Sequence, residues 1–364
     1  MKMFKIAFVV LLCMSLLSAC GKGNTTAGDS DKQSPTPAAT IAPTTAAATT
    51  APTATTAPTA TTAAPKEKIK MNIAALKGPT AIGMVKVMED GSAGTTANDY
   101  NFTIAGTADD ITAGIVKGDL DIAAVPSNLA CVLYNKSNGA IKLAGINTLG
   151  VLYIVETGDT IKSVADLKGK TIYATGLGTT PQYTLNYVLK ANGIDPKKDV
   201  TIEYKTEPTE VASILGESSN AVAMLPQPYV TTVMMKNNKV KMALNLADEW
   251  NKVSKDGSTV VTGVVIVNSK FLENNKAAVD AFMQEYTASA AYVNENVDDA
   301  AALVEKFKIF QAGPMKKAIP DCNITLIQGD EMKQKLGGYL SALFKEDPKA
   351  VGGKLPDDNF YYIP

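Results

Sequence analysis

The residues best suited to chemistry in this chain stand in two short segments at matching places. Gly78-Pro79-Thr80 and Gly178-Thr179-Thr180 each close a short apolar run and open a stretch with helical spacing. The glycines let the backbone turn closely, Pro79 suits a first helical turn, and each threonine sets a hydroxyl where unsatisfied N–H groups gather. A helix start at the end of a strand attracts a polar or anionic group. Either segment alone is an ordinary strand-to-helix connection. The repetition gives the pair its weight.

Thr80 and Thr180 are one hundred residues apart, and the same offset relates Ile104 to Tyr204 and Ile111 to Val211. It also relates the apolar run ending in Pro126 to the one ending in Pro226. A constant register over some fifty residues reads as an internal duplication, which would bring two helix starts to one cleft. The residues after the third strand of each copy then join the candidate site: Pro126, Ser127 and Asn128 in the first, Pro226, Gln227 and Tyr229 in the second. Asn147 and Thr148 lie just before the presumed crossing between copies. Hydroxyls and amides of this kind orient polar edges, and a tyrosine stacks or caps.

Composition excludes much. Among 364 residues there is no histidine, and all 35 basic residues are lysines. A histidine metal site, a Ser-His-Asp or Cys-His arrangement and an arginine clamp on a carboxylate are therefore ruled out. The net charge is −1 and no basic stripe stands out, so a nucleic-acid partner is not expected. No Gly-x-x-x-x-Gly-Lys-Ser/Thr loop occurs, which argues against nucleotide hydrolysis. Neither a cofactor nor a metal is expected.

Residues 1–19 read as an export signal: Lys2 and Lys5, then an apolar core too short to span a bilayer. Leu17-Ser18-Ala19-Cys20 resembles a bacterial lipobox, with Cys20 the expected acylated residue. Residues 20–66 are dominated by Thr, Ala and Pro and bury too little to order themselves, so a disordered tether is expected. Cys131 and Cys322 remain in the body of the chain, and two buried free thiols are expected rather than a pair.

The pattern of the body is α/β. Strands are read at 71–76, 100–105, 120–125, 141–147, 151–156 and 259–267, with helices at 81–89, 109–117, 275–294, 298–307 and 328–344. The expected division is a first lobe from 69–152 plus 261–364 and a second from 153–260, two similar doubly wound lobes joined by a two-strand hinge.

A resemblance follows from particular residues. The strand closing in Asp121-Ile122-Ala123-Ala124-Val125-Pro126-Ser127, the segment Ser163-Val164-Ala165-Asp166-Leu167-Lys168-Gly169-Lys170, the Gly-Thr-Thr-Pro helix start and Leu225-Pro226-Gln227-Pro228-Tyr229 together resemble one branch of the ABC-importer substrate-binding proteins. That branch includes the nitrate, sulfonate, taurine and thiamine-pyrimidine-precursor binders, and the resemblance spans about 69–345. It implies a type II periplasmic-binding-protein fold, a small-molecule ligand in the cleft between the lobes, hinge closure, and delivery to a permease driven by a separate ATPase. It also implies a non-enzymatic monomer held at the outer face of the membrane by the lipid. The alternatives are a surface domain sensing a ligand for a partner receptor, or an enzyme on the same fold. The enzymes concerned call for histidine, or for arginines around a cofactor cysteine, and this chain has neither.

Overall fold

The computed structural model describes residues 67–254 and 257–364. The export signal, Cys20 and the spacer up to residue 66 lie outside the described residues.

The chain first lays down β1 (Lys70–Leu76), α1 (Pro79–Ile82), α2 (Val85–Ser92), β2 (Asp99–Ala105), α3 (Asp109–Lys117), β3 (Ile122–Pro126), α4 (Ser127–Lys136) and β4 (Ile141–Leu149). It continues through β5 (Leu152–Thr157), β6 (Thr171–Ala174), α5 (Thr180–Ala191), β7 (Thr201–Tyr204), α6 (Pro208–Glu217), β8 (Val222–Pro226), α7 (Tyr229–Lys236), β9 (Val240–Asn245) and α8 (Leu246–Val253). It closes with β10 (Val261–Asn268), α9 (Ser269–Glu295), α10 (Val297–Lys306), α11 (Ala312–Ala318), β11 (Ile324–Ile327) and α12 (Gly329–Glu346).

Two sheets result, one ordered β11-β4-β10-β3-β1-β2 and the other β7-β6-β8-β5-β9. In each, three parallel strands meet one antiparallel strand: β10 runs against β3, and β5 against β8. That antiparallel strand is always supplied by chain arriving from the other lobe. β5 follows directly on β4 of the first sheet, and β10 follows β9 and α8 of the second. The run at 259–267, on the chain's return from the second lobe, carries the inserted strand of the first sheet. Its valines and isoleucine are fully buried between β3 and β4, which is where a continuous apolar run belongs.

The hundred-residue register needs a correction at its start. Thr103 faces Ala74 while Glu203 faces Tyr173, so β2 and β7 differ by 100 residues but β1 and β6 by 99. The helix starts differ by 101, Pro79 against Thr180. The physical reason is the connection, two residues between β1 and α1 but five between β6 and α5. The helix read at 81–89 is also broken. α1 is a single turn, and Gly83 and Met84 separate it from α2. A side chain at Gly83 would meet Ile324 at 2.9 Å and the Tyr286 ring at 3.2 Å, so close packing of the first turn keeps glycine there.

One apolar core lies between the first sheet and α2, α9 and α10, with Phe282, Met283 and Tyr286 fully buried. Another runs through both lobes, from Ile172, Leu185 and Leu189 on one side to Met332, Leu336, Tyr339 and Leu340 on the other. α12 therefore packs on α5 of the second lobe as well as on β4 and β10 of the first. Trp250 of α8 sits in this seam, stacked on Tyr187 at 3.8 Å and tilted against Tyr339 at 5.1 Å. Cys131 and Cys322 are both buried and unpaired. Burial raises both thiols, Cys131 to about 12, so they behave as small apolar side chains. No helix among the described residues is long and apolar enough to cross a membrane.

Candidate functional site

The chain leaving β3 of the first sheet and that leaving β6 of the second meet, at the kind of place where open α/β sheets hold ligands, outside the carboxyl ends of strands. There the structure brings together Ser127, Asn128 and Thr180. Ser127 and Asn128 open α4, and Thr180 opens α5 in the other lobe. All three are buried. Thr180 donates its hydroxyl hydrogen to Asn128 Oδ1 at 3.1 Å, and Asn128 Nδ2 donates to the Ala350 carbonyl at 3.1 Å. Ser127 donates to the Val261 carbonyl. Ser127 Oγ and Thr180 Oγ1 also approach to 3.4 Å, so the two hydroxyls meet directly across the seam.

Thr184, one turn further along α5, meets the Tyr339 hydroxyl at 2.8 Å. Burial drives the Tyr339 phenol far above its ordinary pKa, against hydrogen bonds that pull it down, so it stays protonated.

Thr80, Asn147 and Thr148 form a second group within the first lobe. Thr80 donates to the Leu76 carbonyl at 2.8 Å, and its methyl lies against Gly263 of β10. Asn147 Nδ2 donates to the Thr80 carbonyl at 3.1 Å and to the Tyr286 hydroxyl at 3.0 Å, while Thr148 donates to Asn147 Oδ1 at 3.2 Å. These side chains are turned to one another, and the group reads as a brace for the β1–α1 turn. Gly78, in left-handed space at φ 133°, caps α1, and the half-buried Pro79 follows it.

On the second lobe, Gly178 is exposed at φ 75° and its N–H donates to Gln182 at 2.6 Å. Thr179 is half-buried, and its hydroxyl is spent on the Gly176 carbonyl. Both are thus spent on bonds within their own turn rather than on the Ser127–Thr180 contact. Pro126 and Pro226 are the half-buried last residues of β3 and β8. Gln227 is fully buried. Its backbone N–H bonds the Val151 carbonyl at the crossing, and its Oε1 accepts from the Thr231 amide and hydroxyl. Gln227 Nε2, by contrast, has no partner, nor does the buried hydroxyl of Thr262, which lies between Val261 and Gly263 at the start of β10. Buried donors without partners are uncommon and call for an explanation.

Tyr229 turns to the first lobe, meeting Phe310 edge-to-face at 5.2 Å. It borders an open groove of about 980 Å³ between α6–α7 and residues 305–311.

Sequence reasoning missed Thr184, Thr262 and Tyr339. The last is the most instructive, since α12 reads as an amphipathic helix and nothing local shows that it reaches the second lobe.

Comparison with known proteins bears on the fold. Residues 138–300 match the family described as NMT1/THI5 like. No curated protein matches the sequence. Among solved structures, an ABC transporter from Parabacteroides distasonis superposes with a TM-score of 0.67 at 24% identity, covering 80% of this chain and 98% of that one. The periplasmic aliphatic sulphonate binding protein from Escherichia coli gives 0.64 at 14% identity, covering 81% and 92%. The alkanesulfonate-binding protein from Xanthomonas axonopodis pv. citri, bound to MOPS, gives 0.61 at 12% identity, covering 80% and 96%. The chain therefore has the two-lobed periplasmic-binding-protein fold, and its middle stretch carries the NMT1/THI5-like sequence pattern.

Proposed function

We propose that this chain is the solute-binding component of an ABC importer, anchored outside the cell membrane through Cys20, and that it captures a small organic or anionic solute between its lobes. The observation that carries this reading is the meeting of buried polar side chains from the two lobes, Ser127 and Asn128 of the first with Thr180 of the second, at the ends of β3 and β6. The fold shared with sulfonate-binding proteins supports it. In a chain without arginine, an anion would be gripped by amides, hydroxyls and helix-start N–H groups rather than by a fork of fixed charge. Sulfonate-, nitrate- or taurine-like solutes fit this chemistry, as do pyrimidine or vitamin precursors. Gly78, Pro79, Thr80, Asn147 and Thr148 shape the first wall of the cleft. Thr180, Pro226 and Gln227 shape the second.

Binding then works by population shift. Solute held by one lobe gains contacts from the other and favours the closed form. That form, a monomer, docks on a permease served by a separate ATPase. No step of this cycle needs a reaction on the solute, so no catalytic residue is assigned.

A thermal-shift screen of the protein against sulfonates, inorganic anions, pyrimidines and vitamin precursors tests the reading. Solute at one hundred times its Kd adds about 2.7 kcal/mol of stability. One responding class is the expected result; a folded, solute-free protein silent across the library would overturn it. The anchor is tested separately: Cys20→Ala should move the protein from the membrane fraction to the soluble one.

A further inference from the structure

Beside the cleft, the groove of about 980 Å³ has walls from both lobes: α6 and α7 on one side, Lys77 and residues 305–311 on the other. Its volume is at the upper end for small-molecule sites. Four lysines line it, Lys77, Lys236, Lys239 and Lys308, against two acids, Glu217 and Glu305, which leaves two positive charges in excess. The Tyr229–Phe310 pair supplies a flat apolar surface at the same place.

The backbone at Lys308 adds an independent sign. α10 ends in a hydrogen-bonded reversal in which the Ile309 N–H meets the Val304 carbonyl at 3.0 Å and the Lys308 N–H meets the Glu305 carbonyl at 2.9 Å. This motif demands left-handed backbone at its central residue, normally glycine. Here it is lysine, at φ 57°. The neighbouring Lys306, by contrast, is spent on an ion pair with Glu89. A lysine thus occupies a place where glycine would be relaxed, at the rim of a groove already rich in lysine, two residues before the ring that touches the other lobe.

We propose that this groove is a second ligand site, distinct from the Ser127–Thr180 cleft, and that it takes a small organic dianion with a flat apolar body. The two negative charges balance the lysine excess, and the body lies on the Tyr229–Phe310 face. Because its walls come from both lobes, occupancy here links them at the side of the cleft.

Phenyl phosphate and phthalate both put two charges on a ring, one as a phosphate monoester and one as a dicarboxylate. Inorganic phosphate lacks the ring, and benzyl alcohol lacks the charge. Calorimetry on the full chain should show at least one aromatic dianion binding more tightly than either control and weakening with added salt. The tighter of the two identifies the head group. Lys308→Gly should weaken that binding tenfold or more while the melting temperature holds or rises, and Lys239→Ala should weaken it as well. The Thr180→Val variant should retain it, even where a cleft solute is lost. The proposal is overturned if neither dianion binds, if both lysine variants bind like the parent, or if Thr180→Val alone abolishes binding.

Discussion

Among the single residues of the cleft, Thr180 and Thr80 separate clearly despite their matching places in the sequence. Thr180 is the donor that satisfies the buried Asn128 Oδ1 across the lobes, whereas Thr80 bonds its own strand end. Thr180→Val should weaken solute binding tenfold or more, about 1.4 kcal/mol per decade, and should also lower stability by roughly 1–3 kcal/mol by stranding a buried acceptor. Thr80→Val should cost about 1 kcal/mol at most, since its hydrogen bond is local. Calorimetric titration and melting curves on the two variants check both expectations. That Thr180 would lie near Ser127 and Asn128 was legible in the repeated segments. The orphaned Thr262 hydroxyl was not, because its setting comes from strand insertion rather than from any neighbour in sequence.

Among elements, the parallel strands and most helices follow their apolar periodicity, and α3 falls where Asp109 and Lys117 bracket it. What periodicity could not give was pairing. The placement of β5 and β10 inside the opposite lobes depends on the two crossings, whose geometry is set by packing. Gly150 shows how tight that packing is, since a side chain there would sit 2.5 Å from Ala247 Cβ and 3.3 Å from Val260. Gly150→Ala should therefore cost roughly 1–3 kcal/mol through forced repacking at the crossing, read as a drop in melting temperature.

Glu156, near the end of β5, bears on pH. Burial pushes its carboxyl upward, but the Ile161 and Thr160 N–H groups and the Thr160 hydroxyl win, and its pKa lies below the ordinary 4.5. The folded state thus prefers the carboxylate. Its stabilising contribution is present above about pH 4.5 and is lost as pH falls through the lower folded value. Glu156→Gln should reduce stability at pH 7 by roughly 1–3 kcal/mol and flatten the acid limb of a stability–pH curve.

For the whole molecule, the core shared by α5, α8 and α12 means that the two sheets are not independent bodies. Unfolding should occur as one transition, coincident by far-UV and near-UV circular dichroism; two resolved transitions would contradict the shared core. Leu336→Ala, at a fully buried position of α12, should lower the single midpoint by an amount equivalent to about 2–5 kcal/mol rather than split it.

The strand inserted from afar also matters while the chain is being made. β1, β2 and β3 can pair as soon as they exist, yet the flank of β3 stays bare until β10 arrives, and Val261 comes 134 residues after the Ser127 it meets. The second sheet, drawn from β5 to β9, is contiguous and is complete first. A nascent or truncated chain stopping short of residue 261 carries an open, apolar strand edge, the kind of surface that recruits another copy of itself.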